Sequence, residues 1–266
     1  QLLDGQPYLL GYPLPELIQR APIEDIISMT IRRVDPKPKE RGLLRRLMAY
    51  HMKNLPLSRV AVEAAETSFH HGNPLNAAVS AGLLAQEAAP AENLHEELKE
   101  AFSPQEAEAM VLTGWVIMLV GSLLGGGLRL KVNDRLENIF FRAAAGRAPK
   151  PAEADVFRGI YAACAEHTPA VPSSLAAISS YSGGVSLKTA LAAGITAMGD
   201  THAGAGEGAA YAFQVEAAQA PSGLSAMERA RWLVESYAGK SSQNKRKIPG
   251  YGHRYYGLYG RDPRAA

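Results

Sequence analysis

Between Met110 and Leu128 the chain carries no charged side chain: Met-Val-Leu-Thr-Gly-Trp-Val-Ile-Met-Leu-Val-Gly-Ser-Leu-Leu-Gly-Gly-Gly-Leu. A stretch this apolar must leave water on every side. It is either the central helix of a core or a membrane span, which needs about 20 such residues. The run is isolated, no aromatic belt flanks it, and three consecutive glycines close it, features that point to a helix buried all round. Such a helix needs a jacket of amphipathic ones.

The rest of the sequence supplies that jacket. Ile23, Ile26, Ile27 and Ile31 recur at helical spacing, as do Leu43, Leu44, Leu47, Met48 and His51, and neither set alternates as a strand would. Pro36 and Pro38 read as a linker between them. Further helices are expected over 134–147, with Ile139, Phe140 and Phe141 and a stop at Gly146, and over 155–165. Ser173 and Ser174 are candidate caps for the next helix, and Ser186 for one over 187–198. Both are rich in Ala, Gly and Ser, which lets neighbouring helices approach closely, and they are expected at the seam of a homodimer. One more helix or a pair lies within 216–237. The expected fold class is therefore all-α.

Length and charge narrow the function. A chain of 266 residues with 47% hydrophobic content can bury one substantial core and a smaller appended unit. Its 28 basic and 26 acidic residues leave a net charge of +2, which gives no electrostatic reason to expect nucleic acid or a membrane surface as partner. The single Cys164 rules out an internal disulfide framework and a Cys-rich metal site, so the cytoplasm is the expected compartment, and Cys164 itself is expected to be packed. Adjacent His70 and His71 sit in an irregular loop without a carboxylate at ligand spacing, and no His pair stands at i, i+4, so no metal is expected. His95 lies in a charged segment and reads as solvated. Gln1 is not an initiator, and Asp262-Pro263-Arg264-Ala265-Ala266 reads as a helix start, so both ends are expected to be trimmed.

Three histidines, His167, His202 and His253, lie at turns flanked by Gly or Pro rather than in an apolar stripe. The densest of these segments is Lys247-Ile248-Pro249-Gly250-Tyr251-Gly252-His253-Arg254, followed after a spacer by Arg261-Asp262-Pro263-Arg264. Pro249 fixes φ and removes a donor, while Gly250 and Gly252 permit backbone geometry closed to other residues, so this is a tight loop that presents His253. Histidines grouped with Arg254 and Arg264 suit a site that polarises carbonyls and holds carboxylates.

The Pro-Gly-Tyr-Gly-His-Arg loop followed by Asp-Pro-Arg resembles the loop that carries a catalytic His and a carboxylate-binding Arg in the citrate synthase superfamily. The likeness covers the chain from about Gly11 and is strongest after Glu166. It implies a large helical domain over 1–203 and a small domain from 204 to 266 that closes over the substrates, in a homodimer. Gly199-Asp200-Thr201-His202-Ala203-Gly204-Ala205 is similar to the turn whose His donates to the thioester carbonyl while the enol forms. A neutral imidazole suits that role, since a helix N-terminus disfavours the charged ring. His167 would bind the oxo acid, and His253 its keto or hydroxyl oxygen. Arg264 and Arg254 would hold its carboxylates, and Ile248, Pro249, Gly250, Tyr251 and Gly252 would face the coenzyme A adenine. The family's general base, an Asp, and an Arg given across the dimer are expected beyond Ala266.

Within the superfamily, Ala165-Glu166-His167-Thr168-Pro169-Ala170-Val171 and Met198-Gly199-Asp200 look most like citryl-CoA lyases and the lyase module of ATP-citrate lyase. His202 points the other way, because such lyases can lack a His there. The resemblance thus implies an acyl-CoA C–C lyase or transferase acting on citryl-CoA, or on acetyl-CoA and an oxo-dicarboxylic acid such as oxaloacetate. The coenzyme A thioester enters as substrate, and no metal takes part. A citrate or 2-methylcitrate synthase-like condensing enzyme is the alternative, and an inert member acting as a binding protein is the alternative of another class.

Overall fold

The structure is a computed structural model that describes residues 2–3, 6–87, 95–125, 134–166, 168–239, 248, 250 and 262. Three short antiparallel strands open the chain: β1 (Leu2–Leu3), β2 (Gln6–Leu9) and β3 (Tyr12–Pro13), paired in that order. Leu10 and Gly11 alone join β2 to β3, with φ of 50° and 86°, as in the primed turns that suit two-residue hairpins. This hairpin was not legible in the spacing of apolar residues. The described chain after it is helical.

In order come α1 (Leu14–Arg20), α2 (Ile23–Ile27) with a π-helical continuation (Ser28–Arg32), α3 (Pro38–Asn54), α4 (Arg59–His70), α5 (Leu75–Ala85) and α6 (Glu96–Ala101). They are followed by α7 (Pro104–Leu123), α8 (Leu136–Ala145), α9 (Pro151–Cys164), α10 (Pro172–Ser182) and α11 (Leu187–Thr196). Then come α12 (Ala205–Tyr211), a π-helical turn (Ala212–Glu216), a 3₁₀ turn (Ala217–Gln219) and α13 (Ala226–Gly239). The residues divide into two compact units, Gln1–Ala197 and Met198–Asp262.

Proline starts helices here more often than it separates them. Pro38 opens α3 rather than extending the expected linker, and Pro172 opens α10 with Val171 as its uncapped N-cap residue, so Ser173 and Ser174 lie inside the first turn. Proline at the first helical position gives up an N–H that would have no partner anyway. Ser186 does cap α11, its Oγ accepting from Thr189 N at 3.2 Å, and α11 ends at Thr196, two residues short of the expected end.

The uncharged stretch forms most of α7. Ser103 and Glu106 fix its start reciprocally, Glu106 N donating to Ser103 Oγ at 3.3 Å and Ser103 N to Glu106 Oε2 at 2.7 Å. From Ala109 to Gly121 no residue of α7 is exposed. Met110, Val111, Leu112, Trp115, Met118 and Leu119 join the main core with residues of α2, α3, α4, α5, α6, α8 and α11. Trp115 gives its indole N–H to Leu55 O at 3.0 Å, so its one polar group is not stranded. By length and composition alone α7 could cross a membrane, yet half of its apolar window is buried inside the protein, packed against the helices around it.

Where helices meet, small residues set the distance. A Cβ added to Gly82 on α5 would lie 2.6 Å from Leu119 Cδ2, 2.9 Å from Ala61 O and 2.9 Å from Ala65 Cβ, so α4, α5 and α7 meet at a position only glycine fills. Gly194 of α11 faces Ser173 O and Ala177 Cβ of α10 at 3.0 and 3.1 Å in the same way. A smaller cluster (Leu9, Leu14, Leu17, Ala21, Ile26, Met29, Ala162) joins the hairpin, α1, α2 and α9. Arg158 of α9 ties it together by donating to Ile18 O, Gln19 O and Ala21 O at 3.0 to 3.1 Å. These are carbonyls at the end of α1 that its own backbone leaves unserved.

His51 of α3 is 3% exposed, and neither ring nitrogen has a hydrogen-bond partner among the described residues. Burial, reinforced by nearby His95, pushes its pKa down to about 4. His95 does more than face solvent: its ring accepts from Glu97 N at 3.2 Å and so caps α6, and Tyr50 packs edge-on against both imidazoles. The unfolded chain binds a proton near 6.5 that folded His51 refuses until about 4. His51 therefore supports stability above pH 6.5, and this support is lost as pH falls from there towards 4. In urea melts, the wild-type midpoint should fall more between pH 7.5 and pH 5 than that of His51→Leu. Parallel losses in the two chains would show that His51 titrates freely in the folded state.

Candidate active site

His202 is held by a turn that closes on one carbonyl. His202 N donates to Gly199 O at 2.9 Å and Gly204 N donates to the same oxygen at 3.1 Å, so residues 199–204 wrap around it. Gly204 has no room for a side chain: its Cβ would sit 2.8 Å from Asp200 Cα and 3.2 Å from Gly199 O. His202 is half-buried, three residues before the first residue of α12.

The loop singled out in the sequence meets the same helix. Gly250 has φ of +77°, and its Cβ would lie 2.7 Å from Ala209 Cβ and 3.0 Å from Ala205 O. Glycine is thus required twice over at this position, by the left-handed backbone and by contact with α12. Ile248 packs into the small core of this unit, formed by Ala212, Ala217, Leu233 and Tyr237. The neighbour that Gly250 meets is α12 itself. The described part of the loop and the His202 turn therefore converge on α12 within one compact unit.

Of the other expected site residues, His167, Pro249, Tyr251, Gly252, His253, Arg254 and Arg264 lie outside the described residues. The flanks of His167 are described. Thr168 has φ of +60°, in the left-handed region that β-branched residues avoid. Its N–H donates to Glu166 Oε1 at 3.0 Å, and its hydroxyl accepts from Ala170 N at 3.1 Å. Two side-chain bonds thus hold a strained backbone directly after His167. Nothing in the residue types foretold this strain, because Thr-Pro reads as an ordinary extended pair. Cys164, expected to be packed, is exposed at the last turn of α9. The ring of His71 closes the end of α4 through Thr67 O at 2.6 Å, a local role. Among the described residues, no three His, Cys, Asp or Glu side chains gather as a metal site would need.

The family profile described as "Citrate synthase, C-terminal domain" matches residues 2–266. No curated protein matches. Among solved structures, citrate synthase from Pyrobaculum aerophilum superposes with a TM-score of 0.59 at 22% identity, over 89% of this chain and 66% of its own. Citrate synthase from Thermotoga maritima MSB8 gives 0.56 at 19%, over 96% of this chain and 63% of its own. The citrate synthase of the archaeon Thermoplasma acidophilum, solved as a ternary complex with carboxymethyl coenzyme A and oxaloacetate, gives 0.63 at 18%, over 92% of this chain and 61% of its own. The chain thus spans less than two thirds of the length of these structures, and at such identities the likeness is one of fold. Matched by the family profile from residue 2 to residue 266, and folded as these synthases are, the chain belongs to the citrate synthase family.

Proposed function

We propose that this chain forms part of an enzyme that makes or breaks the carbon–carbon bond between an acyl-CoA methyl carbon and the carbonyl carbon of an oxo-dicarboxylic acid, by way of a thioester enol. The observation that carries the reading is the meeting of the His202 turn with the Ile248–Gly250 loop on α12. In the resemblance these two segments serve the reacting thioester carbonyl and the coenzyme A adenine, so one helix would carry supports for both ends of one substrate. His202 would donate to the thioester carbonyl as a methyl proton leaves, stabilising charge that develops on oxygen in the transition state. His167, His253, Arg254 and Arg264 would hold the oxo acid, the arginines through charge-assisted contacts to its carboxylates. By the same resemblance, the proton acceptor would be an Asp.

Within that chemistry we favour cleavage of citryl-CoA to acetyl-CoA and oxaloacetate, supported by the lyase-like segments at 165–171 and 198–200. A condensing synthase is the second reading, favoured by His202, which lyases of this type can lack. The products separate the two. A lyase returns acetyl-CoA with no free thiol, whereas a synthase also hydrolyses the citryl thioester and releases coenzyme A.

The enol step is tested by exchange of the acetyl methyl protons in deuterated buffer, with a non-reacting oxo-acid analogue present. His202→Phe should slow exchange by roughly 10²- to 10³-fold, the worth of one oxyanion-type donor, while the analogue still binds. Exchange that survives unchanged would reduce His202 to a turn residue. A wild-type protein that binds both ligands without exchange would make the chain an inert member of its family.

Assembly gives a second test. α10 buries none of its residues and turns Leu175, Ile178 and Tyr181 outward, each more than half exposed and three residues apart on one face. We place this face, backed by the small-residue contact of α10 with α11, at the two-fold axis of a homodimer. Ile178→Lys should shift the sedimentation coefficient from dimer to monomer. A wild-type protein already monomeric at low micromolar concentration would refute this placement.

A further inference from the structure

Polar side chains of α5 hold the last turn of α11. Asn76 Nδ2 donates to Thr196 O at 3.0 Å and to Ile195 O at 3.4 Å. One turn further along α5, the buried Ser80 donates its hydroxyl to Ala192 O at 2.9 Å. The Thr196 hydroxyl lies 2.9 Å from both Ser80 Oγ and Ala192 O, closing the set. The final carbonyls of a helix have no donors within it, and many helices answer with a left-handed glycine beyond the end. Here the end residue is Ala197 with φ of −75°, and the donors come from another helix.

The opposite ends of this antiparallel pair are also joined, since Lys188 Nζ donates to Leu84 O at 3.3 Å and to Gln86 O. The far side of α11 is seated against α10 at Gly194. α11 therefore has little freedom to slide or rotate. The clamp of Asn76, Ser80 and Thr196 lies at the end where the chain passes, after Ala197, from the first unit to the second. Only Ala197 and Met198 separate Thr196 from Gly199, whose carbonyl organises the His202 turn. Fraying of the last turn of α11 would free the start of that turn.

We propose that Asn76, Ser80 and Thr196 are positioning residues for His202, fixing the helix end from which its turn is built. This rests on the reading of His202 as the donor to the thioester carbonyl. Misplacement of a catalytic group by about 1 Å can cost on the order of 10²-fold in rate, so loosening the clamp should slow chemistry more than it weakens binding.

The test uses the full chain and three variants: Asn76→Ala, Thr196→Val, which removes the hydroxyl at nearly constant shape, and Thr196→Ser, which keeps it. Three quantities are read: methyl-proton exchange at saturating acetyl-CoA, the dissociation constant of coenzyme A, and amide hydrogen exchange over 197–204. Asn76→Ala and Thr196→Val should slow methyl exchange about tenfold and speed amide exchange over 197–204 by a similar factor, with coenzyme A affinity changed less than about twofold. Thr196→Ser should behave as wild type. Unchanged amide protection in both damaging variants would overturn the proposal, as would Thr196→Ser matching Thr196→Val, or faster amides with undiminished methyl exchange. Should Asn76→Ala fail to fold, the exposed Thr196 pair decides alone. Absence of methyl exchange in wild type would sink the reading of His202, while the hold of the clamp on the turn would still be judged from the amides.

Discussion

The fold depends on removing α7 from water. A helix with no charged side chain from Met110 to its end has no solvent face to offer, and each neighbour has to cover part of it. α3 does so with Leu44, Leu47, Met48 and Met52, α5 with Val79 and Leu83, and α8 with Leu136, Ile139 and Phe140. Close packing then leaves little tolerance at the crossings, and for that reason α5 carries Gly82 where α4 and α7 both press upon it.

Apolar burial is non-directional, so it does not by itself fix which turn of α3 lies beside α2. Charged pairs supply that. Arg41 binds Asp25 with two bonds of 2.5 and 2.7 Å, and one turn later Arg45 reaches the fully buried Glu24 at 2.7 Å. Sliding α3 by a turn would strand a buried carboxylate, at about 3–5 kcal/mol for a broken buried pair. Glu137 on α8 completes the group. Burial, with Glu24 nearby, raises its pKa, opposed in part by the guanidinium of Arg135 at 3.3 Å.

The sequence disclosed the helices that obey periodicity and missed what periodicity does not encode. α7 was legible because nineteen residues without charge admit few fates, and the start of α11 because Ser186 is a cap in both senses. The opening hairpin was not, since strands of two and four residues are too short to show clear alternation and Leu10 is not a residue expected at positive φ. Pro38 and Pro172 read as breaks although each begins a helix, because proline signals a boundary without saying which side of it is helical. At the site, His202 and Gly250 stood out through their glycine-rich surroundings. Thr168 and the Asn76 clamp did not, because strain and long-range side-chain bonds leave no mark on local composition.

The second unit shows why glycine and alanine cluster where function is proposed. Its core is small, made of Ala212, Ala217, Leu233 and Tyr237 with Trp232 and Ile248 against it. Among the described residues, so few large side chains cannot position loops by bulk burial alone. Close backbone contacts do it instead: Gly204 against Asp200, and Gly250 against Ala205 and Ala209. A methyl group at either glycine would have to displace backbone, at roughly 1–3 kcal/mol for overpacking, and at Gly250 the left-handed φ adds strain. Two loops far apart in sequence are thus referred to one short helix through contacts that admit no side chain.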